Sequence, residues 1–267
     1  MNTSKNTKNR SARQSPTATP MHARNATGAN AQLPNFESIV EILLPSLLQG
    51  DRATVRTMVA CTLERGVSAE DFAEQVAWPI HETLHKLHRH DQIERLSFNY
   101  ATRLLRTVVD QVQLGYTRAD RNGHSVALFC GSGENEDLGG QMAADLLDAA
   151  GYEVFFAGGG VAHDEILQET HRRSPDFLVL FASSASDAPG IRTLIDQVRE
   201  INARPNLEVV VGGGVFNRAD GLAEAIGARH CARSPRELVG VLQQAASSAQ
   251  GNTRGATHQT TRLRAVA

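Results

Sequence analysis

Few cysteines, a single tryptophan and no long apolar run are the first features of this chain: three Cys and one Trp occur in 267 residues. No stretch approaches the roughly 20 apolar residues that a membrane-spanning helix needs. Cys61, Cys130 and Cys231 are widely separated among apolar or small neighbours, so reduced thiols are expected rather than a disulfide framework. The opening MNTSKNTKNRSARQSPTATP lacks a secretory apolar stretch, which makes the cytoplasm the expected compartment. Excess charge is missing too: 27 Lys and Arg against 29 Asp and Glu leave a net −2, so neither nucleic acid nor an anionic membrane is an expected partner. Most catalytic signatures are lacking as well. No G-x-G-x-x-G follows the first strand pattern, and neither G-K-[ST] nor a nucleophile elbow occurs, which disfavours nucleotide binding and serine-type hydrolysis; HETLH at 81–85 does have the H-E-x-x-H spacing. A non-enzymatic protein is expected.

What is present falls into four regions. Residues 1–33 and 246–267 are rich in small polar residues and poor in large apolar ones, so both are expected to be disordered tails. Residues 34–118 show apolar positions recurring at three and four, as in FESIVEILLPSLLQG and QIERLSFNYATRLLRTVVDQVQLGY. Gly50 and Gly66 stop helices, and Ser68 with Asp71 resembles a capping box, so a four-helix module is expected. Across residues 123–245, short runs such as HSVALFC, EVFFAG, DFLVLFA and LEVVVGGG alternate with amphipathic helical segments. That alternation implies right-handed crossovers and a doubly wound, parallel, five-stranded α/β sheet of flavodoxin-like or Rossmann-like type, with ligands beyond the strand carboxyl ends.

The turn after the first strand, CGSGENED, holds Glu134, Glu136 and Asp137 but no basic residue and no His. Phosphates usually occupy such turns, where free N–H groups and the helix dipole favour an anion; three carboxylates repel one. A solvated acidic loop is the plainer reading. The residues around this turn resemble the cobalamin-binding modules of corrinoid methyl carriers and light-sensing cobalamin regulators. Leu146, Leu147, Gly151, Tyr152 and Val154 carry the likeness, followed by Gly158, Val161, Ile166, Pro175, Asp176, Val211, Gly212 and Gly213. The resemblance covers about residues 36–245 and implies a helical cap above a cobalamin-binding sheet.

The departures from that family bear on function. The family's turn supplies a His that ligates cobalt, positioned by an Asp two residues earlier. Glu136 and Glu134 stand at those places here, while Gly139 keeps the final glycine. A carboxylate is a harder ligand than imidazole and suits low-spin cobalt poorly. In the light-sensing members a Trp and a Glu-His pair cover the adenosyl group; His88, Phe98 and Asn99 align with them. Phe181 stands where the family often has a Ser that meets the nucleotide tail, with Ser183 and Ser184 just beyond, and a buried Phe would crowd that slot. Two GGGV runs, 158–161 and 212–215, either admit a planar ligand or simply make tight turns.

Histidine is gained elsewhere. In PIHETLHKLHRH, His81, His85 and His88 share one helical face, which makes His85 and His88 candidate ligands of cobalt or haem iron beside the plainer reading of exposed helix residues. His163, at the start of a later helix, reads as solvated, and Trp78 reads as core. The expected function is a cobalamin-binding regulator, haem being the alternative ligand, read by a separate regulatory protein. A corrinoid methyl carrier and a ligand-free interaction scaffold are the alternatives, and no oligomeric state follows. Replacing Glu136 with His in the cobalamin complex is expected to shift the visible spectrum toward His-ligated cobalt; an unchanged spectrum and affinity would place the turn away from the metal.

Overall fold

The computed structural model describes residues 35–133, 137–201 and 205–248. Most of the two expected tails lies outside this range; residues 246–248 continue the last helix. Residues Pro34–Ala267 form one compact unit. A single apolar core runs from Leu43 and Leu47 through Leu105 to Leu128, Leu147 and Phe181, so the helical and α/β segments share their interior.

The helical segment follows its caps. Helix α1 (Phe36–Gln49) starts where Asn35 accepts from the Glu37 N–H and ends at left-handed Gly50. In α2 (Arg52–Glu64), Asp51 caps Thr54, and in α3 (Ala69–Phe72) the Asp71 N–H donates to Ser68 at 3.0 Å. A π turn, Ala73–Ala77, separates α3 from α4 (Trp78–Arg89). Pro79 has no N–H to give the Gln75 carbonyl, and the Trp78 N–H reaches back five residues to Ala73. Helix α5 (Arg95–Val112) buries Phe98, Leu105, Val109 and Val112 against the bundle.

The α/β segment runs β1 (Ser125–Cys130), α6 (Asp137–Ala149), β2 (Glu153–Gly158), α7 (His163–Arg173), β3 (Phe177–Phe181), α8 (Ala188–Ile201), β4 (Glu208–Gly212), α9 (Gly214–Arg218), α10 (Leu222–Ala225), β5 (His230–Ala232) and α11 (residues 235–248). The strands are parallel in the order β2-β1-β3-β4-β5, the doubly wound sheet that strand and helix alternation implied. Strand β3 is buried along its length, so its residues serve two cores. Phe177, Val179 and Phe181 belong to the α6 side, and Leu178 and Leu180 belong with Ile166, Ile191 and Leu194. The chain reverses direction between β1 and β3, where ligands of such sheets bind. No helix among the described residues is long and apolar enough to cross a membrane.

A polar ladder joins α5 to α6. Arg106 donates to Asp137 at 2.6 Å and to Gln141 at 2.7 Å, and Gln141 donates to Asp110 at 2.5 Å. Farther along, Asp145 Oδ2 and the Tyr116 hydroxyl are buried without hydrogen-bond partners. Burial, reinforced by Asp110 and Asp148 and opposed by Arg118, pushes the Asp145 carboxyl up to about 6. Because this folded-state value lies above the unfolded one, Asp145 lowers stability as pH rises from the ordinary carboxylate range through about 6. Asp145→Asn is therefore expected to stabilise the protein at pH 7 by about 1 kcal/mol, discounted for partial exposure, with no gain below pH 4. Denaturant melts of both proteins across that range check this; equal stabilities at pH 7 would refute it.

Candidate functional site

Helix α4 lies across the carboxyl edge of the sheet. Its residues Trp78, His81, Glu82 and His85, spaced as i, i+3, i+4 and i+7, form the face turned toward that edge. At the α6 end, a methyl group on Gly139 would come within 3.0 Å of Phe181, 3.2 Å of His81 Nε2 and 3.3 Å of Trp78. At the β4 end, one on Gly214 would come within 2.9 Å of both the Glu82 carboxylate and the Arg218 guanidinium. Burial raises the Glu82 carboxyl above its ordinary value, against the pull of Arg218, Arg89 and a bond with Asn217. Arg218 itself donates to the Ser183 carbonyl.

Aromatic rings run in a row from the sheet into the cap. Trp78 meets Phe181 edge-on at 6.1 Å and stacks with His81 at 5.4 Å; His81 lies 4.4 Å from His85. His85 then meets Phe98 edge-on at 5.2 Å, and His88 stacks on the other side of the row against Phe98 at 4.3 Å and 12°. His81 is fully buried, at 0% exposure, with neither ring nitrogen hydrogen-bonded; His85 Nε2 and His88 Nδ1 are also buried and unpartnered. Each such atom costs about 1–3 kcal/mol relative to a paired one. Burial, then the nearby His85, Arg106 and Arg89, drives the His81 pKa well below its ordinary value. Burial, then Arg89 and His88, takes His85 to about 4. Both rings are neutral at physiological pH and keep a free lone pair.

The candidate residues are distributed unevenly. Glu134 and Glu136 lie outside the described residues. Gly139, Phe181 and Gly212 come together: Phe181 is 1% exposed, and a methyl on Gly212 would lie 2.9 Å from its ring. Gly158 ends β2 beside Asp137, while Gly213 follows β4 against Ala182. Ser183 is buried just past β3. His88, Phe98 and half-buried Asn99 belong to the cap end of the row, apart from this glycine edge. Trp78 is buried as expected, but at the seam with the sheet rather than within the bundle. Glu82 and Arg106 join the site without being expected there from sequence, and His81, expected on one face with His85 and His88, is the one that meets the glycine edge. The spacing 78, 81, 82 and 85 carries the signal for Glu82. Arg106 supplies from α5 the positive charge that the acidic turn itself lacks.

Residues 125–238 match the family model "B12 binding domain". This segment is similar to the B12-binding domain family. In the curated comparison, the chain is 29% identical over 107 residues to dimethylamine corrinoid protein 1 of Methanosarcina acetivorans, covering 40% of this chain and 49% of that protein. It is 28% identical over 107 residues to dimethylamine corrinoid protein 3 of Methanosarcina mazei, covering 40% of this chain and 63% of that one. The match thus spans about half to under two thirds of these relatives. The solved monomethylamine corrinoid protein of Methanosarcina barkeri superposes with a TM-score of 0.68 at 18% identity, over 79% of this chain and 99% of that one. That likeness establishes a shared fold.

Cobalamin is the cofactor of this domain family, and its two parts meet different surroundings here. The unpartnered imidazoles above the glycine edge suit a metal-bearing ring by their chemistry, and such a ring would enter where Trp78, His81 and Phe181 now pack. The space between the ends of β3 and β4, where the sequence resemblance led us to expect the nucleotide tail, holds the buried Phe181 ring. Among the described residues no three His, Cys, Asp or Glu side chains are grouped to build a metal site without such a ring. Phe181→Ser is expected to cost about 3 kcal/mol of folding stability through the cavity it leaves. The same change should tighten cobalamin binding at least tenfold, about 1.4 kcal/mol, while leaving tailless cobinamide unaffected. Parallel titrations decide; equal effects on both corrinoids would separate Phe181 from the tail.

Proposed function

We propose that this chain is a cobalamin-binding protein, without catalytic residues of its own, that holds a corrinoid beneath α4 and acts through a separate protein. The observation that carries the proposal is the face of Trp78, His81 and His85 laid over the glycine edge of a B12-binding domain. When bound, the corrinoid supplies a cobalt centre able to carry an alkyl group. The chain's own residues bind and orient it. Gly139 and Gly212 admit close approach, Trp78 shields the ring from water, and Arg106 holds the start of α6 through Asp137.

Two finer readings share this core. The relatives, named as corrinoid proteins of dimethylamine and monomethylamine, support a methyl carrier better than a sensor, with a methyltransferase as the partner. The chemistry of the turn favours the sensor, because Glu136 replaces the family's ligand His and neither the Trp nor the Glu-His pair over adenosine is kept. In that reading, corrinoid or haem occupancy changes how α4 packs on the sheet, and a regulatory protein reads the change. The ligand must then bind the two arrangements with different affinity.

Titrating the protein with hydroxo-, methyl- and adenosylcobalamin and with haemin tests the proposal. Visible spectra should change with the cobalamins, and adenosylcobalamin should bind no more than tenfold tighter than methylcobalamin. A carrier accepts a methyl group on its bound cobalt and gives it up to a thiol; a sensor alters its protease sensitivity on occupancy without methyl turnover. Unchanged spectra and no co-elution for all four ligands would overturn the proposal and leave the Phe181-filled edge as an interaction scaffold.

A further inference from the structure

Among the described residues, His81 is buried more completely than any other imidazole, at 0% exposure, and both of its nitrogens lack hydrogen bonds. A residue needed only to fill this space would be Leu or Phe, which leave no orphaned polar atom. The ring is held from two sides, by Trp78 stacked at 28° and by His85 at 4.4 Å. Its Nε2 is the atom that meets the first turn of α6, 3.2 Å from where a side chain on Gly139 would begin. No donor from α6 reaches it, although a helix N-terminus offers free N–H groups. The neutral ring keeps one lone pair, and its Nε2 faces the glycine edge on which the proposed ligand rests.

We infer that His81 is the protein imidazole that coordinates the metal of the bound corrinoid, delivered from α4 rather than from the turn that precedes α6. This rests on the cobalamin-binding reading above. The turn offers Glu136, a harder ligand than cobalt prefers, whereas imidazole nitrogen suits it. His88 is a weaker candidate on geometry, since its ring lies flat on Phe98 at the cap end of the row. His85 is turned edge-on to the same Phe98, with His81 between it and Trp78. Coordination by His81 requires α4 to lift from Gly139, so the ring that enters takes the place of the contact among His81, Gly139 and Phe181.

Electron paramagnetic resonance of the full chain loaded with cob(II)inamide tests this, because the tailless corrinoid brings no nucleotide base of its own. A parallel sample with cob(II)alamin covers the case in which the tail is needed for binding. Splitting from one axial nitrogen is expected, changing from triplet to doublet when the protein is grown with 15N-histidine. It should vanish in His81→Gln and persist in His85→Gln and His88→Gln. If His81→Gln folds poorly, the labelled wild-type protein still shows whether a histidine nitrogen binds the metal, and the other two variants show whether it is His85 or His88. Bound corrinoid without label-dependent splitting in either sample, or label-dependent splitting that survives in His81→Gln, would overturn the role of His81 and leave cobalamin binding intact. Failure of both corrinoids to bind would overturn both proposals.

Discussion

The contact between α4 and the carboxyl edge of the sheet sets the state of everything around it. Gly139 and Gly212 bring the backbone close enough for Trp78, His81 and Phe181 to interlock, and Glu82 meets Gly214 and Arg218 at the other end. The seam is mixed in character. Trp78 and Phe181 contribute apolar burial, whereas the imidazoles contribute burial with unpaired nitrogens, which offsets part of that gain. A seam that is adhesive and strained at once can be exchanged for another set of contacts at modest net cost.

That balance bears on how a ligand competes with the protein's own side chains. A ring laid on the edge must break the Trp78–Phe181 and His81–Gly139 contacts. In the proposed complex one of the orphaned nitrogens, on His81, gains the metal, so part of what is lost in packing is returned in coordination. The ladder of Arg106, Asp137, Gln141 and Asp110 ties α5 to α6 through its own hydrogen bonds, so the bundle is joined to the sheet by more than the α4 seam.

Much of the fold could be read from residue patterns because its signals are local. Gly50, Asp51 and Ser68 cap their helices as their positions imply, and the β-branched and aromatic runs became strands in parallel order. The π turn was hidden because a helix that widens by one residue keeps its composition, and Pro79 is equally at home near a helix start. At the site, the burial of Phe181 was visible, since a large apolar side chain at a strand's end must pack somewhere. The importance of His81 over His88 was not. Periodicity puts both on one face but says nothing about which end of a helix reaches the sheet and which stays with Phe98. Arg106 was equally silent, as its partner Asp137 lies 31 residues away.

The widened turn at Ala73–Ala77 also ties chemistry to chain length. One residue more or less in an α-helix rotates everything after it by about 100°. With an ordinary α turn there, the face that carries Trp78, His81 and His85 would swing away from the sheet, and a different stripe of α4 would come down on Gly139. The aim of the whole ring row therefore depends on a backbone insertion that meets only its first member, through the Trp78 N–H. A one-codon deletion in this stretch would re-aim the cap while leaving every one of those side chains in the sequence.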